Sequence, residues 1–152
     1  MQKINNPEPM ILDLVSSETR FTKFNEAIKT AGLTERFSSP NNFTVFAPTN
    51  EAFDELPQEQ ILALLKPANR EYLRRLLLLH VIPGALPVQD LKEAKAMKTE
   101  GGQAFRLNVS EDLNEIRFAD AQVIMPKIEA RNGILYPLDT VLMPTVGGIA
   151  MV

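Results

Sequence analysis

Four carboxylates, Glu51, Asp54, Glu55 and Glu59, crowd into one short stretch of this chain, and its single histidine, His80, follows. Paired carboxylates serve general acid–base catalysis, and a histidine beside a serine and an aspartate is the base of a nucleophilic triad. Spacing argues against both. Glu51, Asp54 and Glu55 fall in the first turns of a helix that opens after Pro48, where the helix dipole favours negative charge, and the cluster reads as a solvated helix N-terminus. His80 has no Gly-x-Ser-x-Gly nucleophile elbow to serve. With one histidine and no cysteine, thiol chemistry and zinc sites built from histidine or cysteine fall away. Gly101-Gly102 and Gly147-Gly148 lack phosphate-loop spacing and read as a turn and a tail. Asn42-Phe43-Thr44 and Asn108-Val109-Ser110 fit the glycosylation pattern, but matches this short arise by chance. The residues point to no enzyme, no metal and no cofactor.

Composition narrows the class. The 152 residues fit one domain, 1–152, with a core over roughly 10–144 and a tail at 145–152. The chain is 45% hydrophobic and 23% charged, as globular proteins are. A net charge of −3 gives no electrostatic reason to expect nucleic acid or an anionic membrane as partner. The longest apolar run, Leu76 to Ile82, is interrupted by His80 and is far below the ~20 residues that span a bilayer. In "MQKINNPEPMILDLV", Asp13 breaks the apolar segment that a signal peptide needs. The chain is therefore expected to be intracellular, or to begin after a removed leader.

The elements that would position these residues divide into two halves. Met10 to Val15 reads as a short helix. Phe21, Phe24, Ile28 and Leu33 recur at helical spacing, with Gly32 as a stop. Pro57 opens a segment carrying Ile61, Leu62, Leu64 and Leu65. Pro67 opens a longer helix carrying Tyr72, Leu73, Leu76, Leu77 and His80, broken by Pro83-Gly84. On that helix His80 shares the face of Leu73, Leu76 and Leu77, which predicts a buried, neutral, hydrogen-bonded ring. The second half changes period. "QAFRLNVS" alternates as a strand with one wet face, "EIRFAD" and "AQVIM" follow, and Asn132-Gly133 predicts a tight hairpin turn. Helices first and short antiparallel strands afterwards predict an α+β fold.

The stretch "FTVFAPTNEAF", residues 43–53, joins the halves. Phe43, Val45 and Ala47 fall on one side of a strand and Thr44 and Phe46 on the other, which predicts burial on both faces. Pro48 ends the strand. Thr49 or Asn50 offers a side-chain oxygen to the amides of the next helix. Phe53 and Leu56 pack that helix onto the core.

"FTVFAPTNEAFDEL" resembles the first signature box of fasciclin domains. "LLLLHVIPG", with His80, Val81, Pro83 and Gly84, is similar to their second box. "NGILYPLDTVLMP", with Asn132, Gly133 and Asp139, is similar to their closing one. The resemblance implies two packed, mostly antiparallel β-sheets flanked by helices that lie mainly in the N-terminal half. It also implies a non-enzymatic adhesion or protein-interaction module that is extracellular, periplasmic or on the cell surface, with a protein or cell-surface component as partner.

Three positions depart from the family pattern. Leu79 stands where many fasciclin domains have tyrosine, and Tyr136 where many have histidine. An integrin-linked segment in animal relatives corresponds to Met125, Pro126, Lys127, Ile128 and Glu129, and Lys127 replaces its acid, which argues against integrin recognition. Those five residues, with Leu79 and His80, are the candidate partner contacts. The alternative is a carrier of an apolar small molecule, such as a lipid or pigment, in a pocket between sheet and helices that the 8 Phe and 6 Met would suit.

Overall fold

The computed structural model describes residues 10–37, 42–118, 121–124, 127–142, 145–146 and 149–150. Its helices are α1 (Ile11–Ser17), α2 (Thr22–Ala31), α3 (Thr34–Phe37), α4 (Asn50–Asp54), α5 (Gln58–Leu64), α6 (Arg70–Leu78) and α7 (Val88–Ala94). One sheet runs in the order β2 (Val81–Pro83), β1 (Phe43–Pro48), β8 (Gly133–Leu138), β7 (Ile128–Ala130). The second runs β3 (Ala96–Lys98), β4 (Ala104–Val109), β5 (Ile116–Phe118), β6 (Ala121–Gln122). This is the expected α+β architecture.

The first sheet is the middle layer. Phe43, Val45 and Ala47 of β1 pack with α1, α2, α4 and α6 in one core, while Phe46 packs in a second core between the sheets. On β8, Leu135 joins the helical core, and Ile134, Tyr136 and Leu138 join the inter-sheet core. All six residues of β1 and all six of β8 are buried. The alternation of a strand therefore serves two cores at once, which explains why polar residues are so scarce in "FTVFAP". Phe46 stacks on Phe118 of β5 at 4.3 Å and on Tyr136 at 5.2 Å between ring centroids, joining the two sheets.

Most strand pairs are antiparallel, but β1 and β8 run parallel over their whole length, from Phe43 opposite Gly133 to Pro48 opposite Leu138. The first and last signature stretches are thus neighbours.

The structure corrects two expectations. His80 lies beyond the helix that was to carry it, since Pro67–Asn69 is a 3₁₀ turn and α6 ends at Leu78. The cause is a tightened end in which the His80 amide bonds the Leu77 carbonyl, after which β-branched Val81 and Ile82 join β1. Asn132 and Gly133 do not share a left-handed turn. Only Gly133 has positive φ (153°), at the start of β8, while the Asn132 side chain is drawn into the helical layer. The tail contains a ribbon, with Thr145–Val146 antiparallel to Ile149–Ala150. The sequence reading also passed over α7 and β3.

Gly133 is the tightest of these positions, because a Cβ there would collide with the Phe43 carbonyl oxygen on β1. We expect Gly133→Ala to cost about 4 kcal/mol by chemical denaturation, from an unfavourable φ plus overpacking. A loss under about 1 kcal/mol would show that the β1–β8 approach is looser than described.

Candidate functional site

The first and second signature stretches meet where β1 passes the end of α6 and β2, and Thr44 and Phe46 there bond Gly84 and His80. Thr44 is buried and its hydroxyl donates to the Gly84 carbonyl at 2.6 Å while accepting the Leu86 amide at 2.9 Å. The Phe46 amide donates to the His80 carbonyl at 2.8 Å. Thr49 caps α4, accepting the Ala52 amide at 3.3 Å, and its own amide bonds the Leu138 carbonyl at 3.1 Å. Asp139 accepts the Gln122 amide at 2.9 Å and the Thr140 hydroxyl at 3.0 Å, fixing β6 to the end of β8.

His80 is fully buried. Its Nε2 accepts the Leu142 amide at 3.0 Å, which leaves the ring proton on Nδ1, and Nδ1 donates to the Leu76 carbonyl at 2.9 Å. The ring adds a second donor to the Leu76 carbonyl, which also accepts the Leu79 amide at 3.2 Å, and holds the segment after β8 against the end of α6. Burial pushes its pKa down from 6.5 to about 4, against a smaller opposing effect of the Leu76 and Leu77 carbonyls. A neutral ring with both nitrogens engaged inside the core is a strut and offers no base to a substrate.

Asn132 makes joints that the sequence did not announce. Its Oδ1 accepts the Ile11 amide at 2.8 Å, capping α1 from across the chain, and its Nδ2 reaches the Phe37 carbonyl at 3.4 Å. Asn50 is similar, accepting the Lys23 amide at 2.9 Å and donating to the Thr19 carbonyl at 2.7 Å. Asn50, at the start of α4, carried the signal of a short amide side chain beside a helix terminus, whereas Asn132 lies between two strands and carried none. Phe53 is buried in the helical core, and Leu56 packs against it.

The acidic cluster disperses. Glu51, Asp54, Glu55 and Glu59 are exposed, with Asp54 paired to Lys23. Val81 is buried and Pro83 exposed, with Gly84 (φ 90°) turning the chain after β2. Tyr136 donates its hydroxyl to the Leu86 carbonyl at 2.8 Å, and burial, aided by Glu129 and Asp90, raises its pKa.

Two candidate partner contacts are corrected here. Leu79 and His80 are both 0% exposed, so neither presents an atom to a partner. Met125 and Pro126 lie outside the described residues. Lys127, Ile128 and Glu129 gather at edge strand β7, where Lys127 bridges Glu129 at 3.4 Å and Ile128 packs against the helical core. The apolar cavity among α2, α4, α5 and α6 holds about 80 Å³, well below the ~300–1,000 Å³ of ordinary ligand pockets. It lies among helices, away from the sheets. No helix among the described residues is long and apolar enough to cross a membrane.

His80 sets a pH dependence. Because its folded pKa is depressed, the unfolded chain binds the proton more readily, so its contribution is complete above pH 6.5 and fades as pH falls toward 4. The loss amounts to about 3 kcal/mol over that window. Unfolding free energies measured across it should slope accordingly, and His80→Gln should flatten the slope. An unchanged slope in the variant would contradict the assignment.

Comparison with known proteins agrees with this arrangement. The Fasciclin domain family model matches residues 19–144. Two Synechocystis proteins, sll1483 and sll1735, are 31% and 35% identical to the chain over 88% and 89% of its length, and the matches span 73% and 98% of those proteins. Transforming growth factor-beta-induced protein ig-h3 of Sus scrofa is 33% identical over 91% of the chain, which spans only 20% of that protein. In three dimensions the chain resembles the FAS1 domain pair of the insect cell adhesion molecule Fasciclin I, with TM-score 0.79, 16% identity, and coverage of 91% of this chain and 52% of that one. The chain belongs to the fasciclin domain family.

Proposed function

We propose that the chain is a non-enzymatic adhesion or protein-interaction module that acts outside the cytoplasm or at a cell surface. The observation that carries this reading is the chain-long kinship to a fold found in an insect cell adhesion molecule. It is supported by the fate of the most chemically suggestive residues. His80, Thr44 and Asn132 are buried and hydrogen-bonded, so recognition falls to the surface. A carrier role draws no support from the apolar cavity among the helices of the described residues, which is too small for a lipid or pigment.

Edge strand β7 is the proposed protein contact. An edge strand offers backbone groups to an added strand, and this one carries Glu129 within it and Lys127 just before it. The charge swap Lys127→Glu with Glu129→Lys keeps the local pair but inverts what a partner meets. Cells displaying the domain should attach to a cell layer, and the swap should reduce attachment to the blank while leaving the melting temperature unchanged. Attachment that survives the swap places the contact elsewhere. Wild-type attachment no better than the blank, with a small apolar mass retained in native mass spectrometry, would overturn adhesion in favour of a carrier.

A further inference from the structure

The outer face of the second sheet collects positive charge in a chain whose net charge is −3. Along β4, Ala104, Arg106 and Asn108 are exposed, while Leu107 turns inward to the inter-sheet core and Phe105 and Val109 pack against it. The register sets Lys98 opposite Ala104 and Arg117 opposite Asn108, so both cations share that outer face. At its rim the end of α7 and the residue after it contribute Lys92 and Lys95. Between α7, β3 and β4 runs a groove of about 520 Å³ that Lys92, Lys95, Arg106 and Asn108 line, and none of its lining residues is acidic.

Two details set this groove apart from an ordinary solvated sheet face. Lys95 has φ 63° at the end of α7, a left-handed position that glycine occupies without strain. A lysine held there places a cation at the groove mouth at some cost to the backbone. Lys92 meets Glu111 at 3.6 Å, but the Glu111 side chain is 99% exposed, so the pair is weak and a ligand displaces it readily. The positive strip ends at the adjoining hollow, where Glu115 lines the wall with Arg117.

We propose that this groove docks an acidic polysaccharide. Its carboxylate or sulfate groups meet Lys92, Lys95 and Arg106, the last through the planar fork that suits such anions. Its hydroxyls bond the Asn108 amide, which both donates and accepts. Single-stranded nucleic acid fits less well. The described residues of the face include no exposed aromatic ring for base stacking. The groove is on the second sheet and β7 on the first, so the two surfaces are tested separately.

The full chain is passed over immobilised polygalacturonate and heparin, with polyglutamate and duplex DNA as parallel columns. Retention on at least one polysaccharide, weakened by salt, is expected. Lys92→Gln and Arg106→Gln each weaken binding about two- to fivefold. Lys95→Gly does the same while leaving the melting temperature unchanged or higher, since glycine relieves the left-handed backbone. The triple variant loses retention, and the β7 charge swap keeps it. Retention on neither polysaccharide, equal retention on polyglutamate or DNA, or a triple variant that binds like the wild type overturns the proposal.

Discussion

A strand buried on both faces constrains this molecule more than any other element. Residues Phe43–Pro48 are buried above and below, so Phe43, Val45 and Ala47 must fit one core and Phe46 the other. Its backbone groups must also find partners at both edges, because unpaired groups in so dry a setting cost about 1–3 kcal/mol each. β2 on one side and β8 on the other supply them. Since β8 comes from the far end of the chain, the fold cannot close until the first and last signature stretches meet. That parallel pairing explains why Gly133 must be glycine, and it places the helices on one side of β1 and the second sheet on the other.

The buried polar residues follow from the same constraint. Thr44, His80 and Asn132 each join segments remote in sequence: β1 to the turn after β2, α6 to the segment after β8, and the turn before β8 to α1. A polar group inside a core specifies geometry because misplacing it strands an unpaired donor or acceptor. The signature boxes are therefore the joints of the fold.

Much of this was legible in the sequence because periodicity reports burial. The two-faced character of "FTVFAP", a side-chain cap at Thr49 or Asn50, the buried Phe53 and the wet face of β4 followed from alternation, helical spacing and turn chemistry, and the structure gives the cap to Thr49. The pairing of β1 with β8 was not legible, since nothing local encodes which distant strand fills an edge. Asn132 misled for a related reason. Next to glycine it has the composition of a hairpin turn, yet a helix terminus needing an acceptor lies close in space and takes its side chain. His80 was read correctly as buried and neutral but placed on the wrong element, because a helical pattern continues smoothly into β2. Leu79 fell the same way, from candidate contact to core.

Native-state hydrogen exchange at the Phe46 amide tests the central claim most directly. That amide donates to the His80 carbonyl from the middle of β1. If β1 is the element on which everything else closes, the amide exchanges only through global unfolding, with an exchange free energy equal to that from denaturation. Exchange through a local opening well below the global value would show that the helical layer and second sheet persist without β1, contradicting the account.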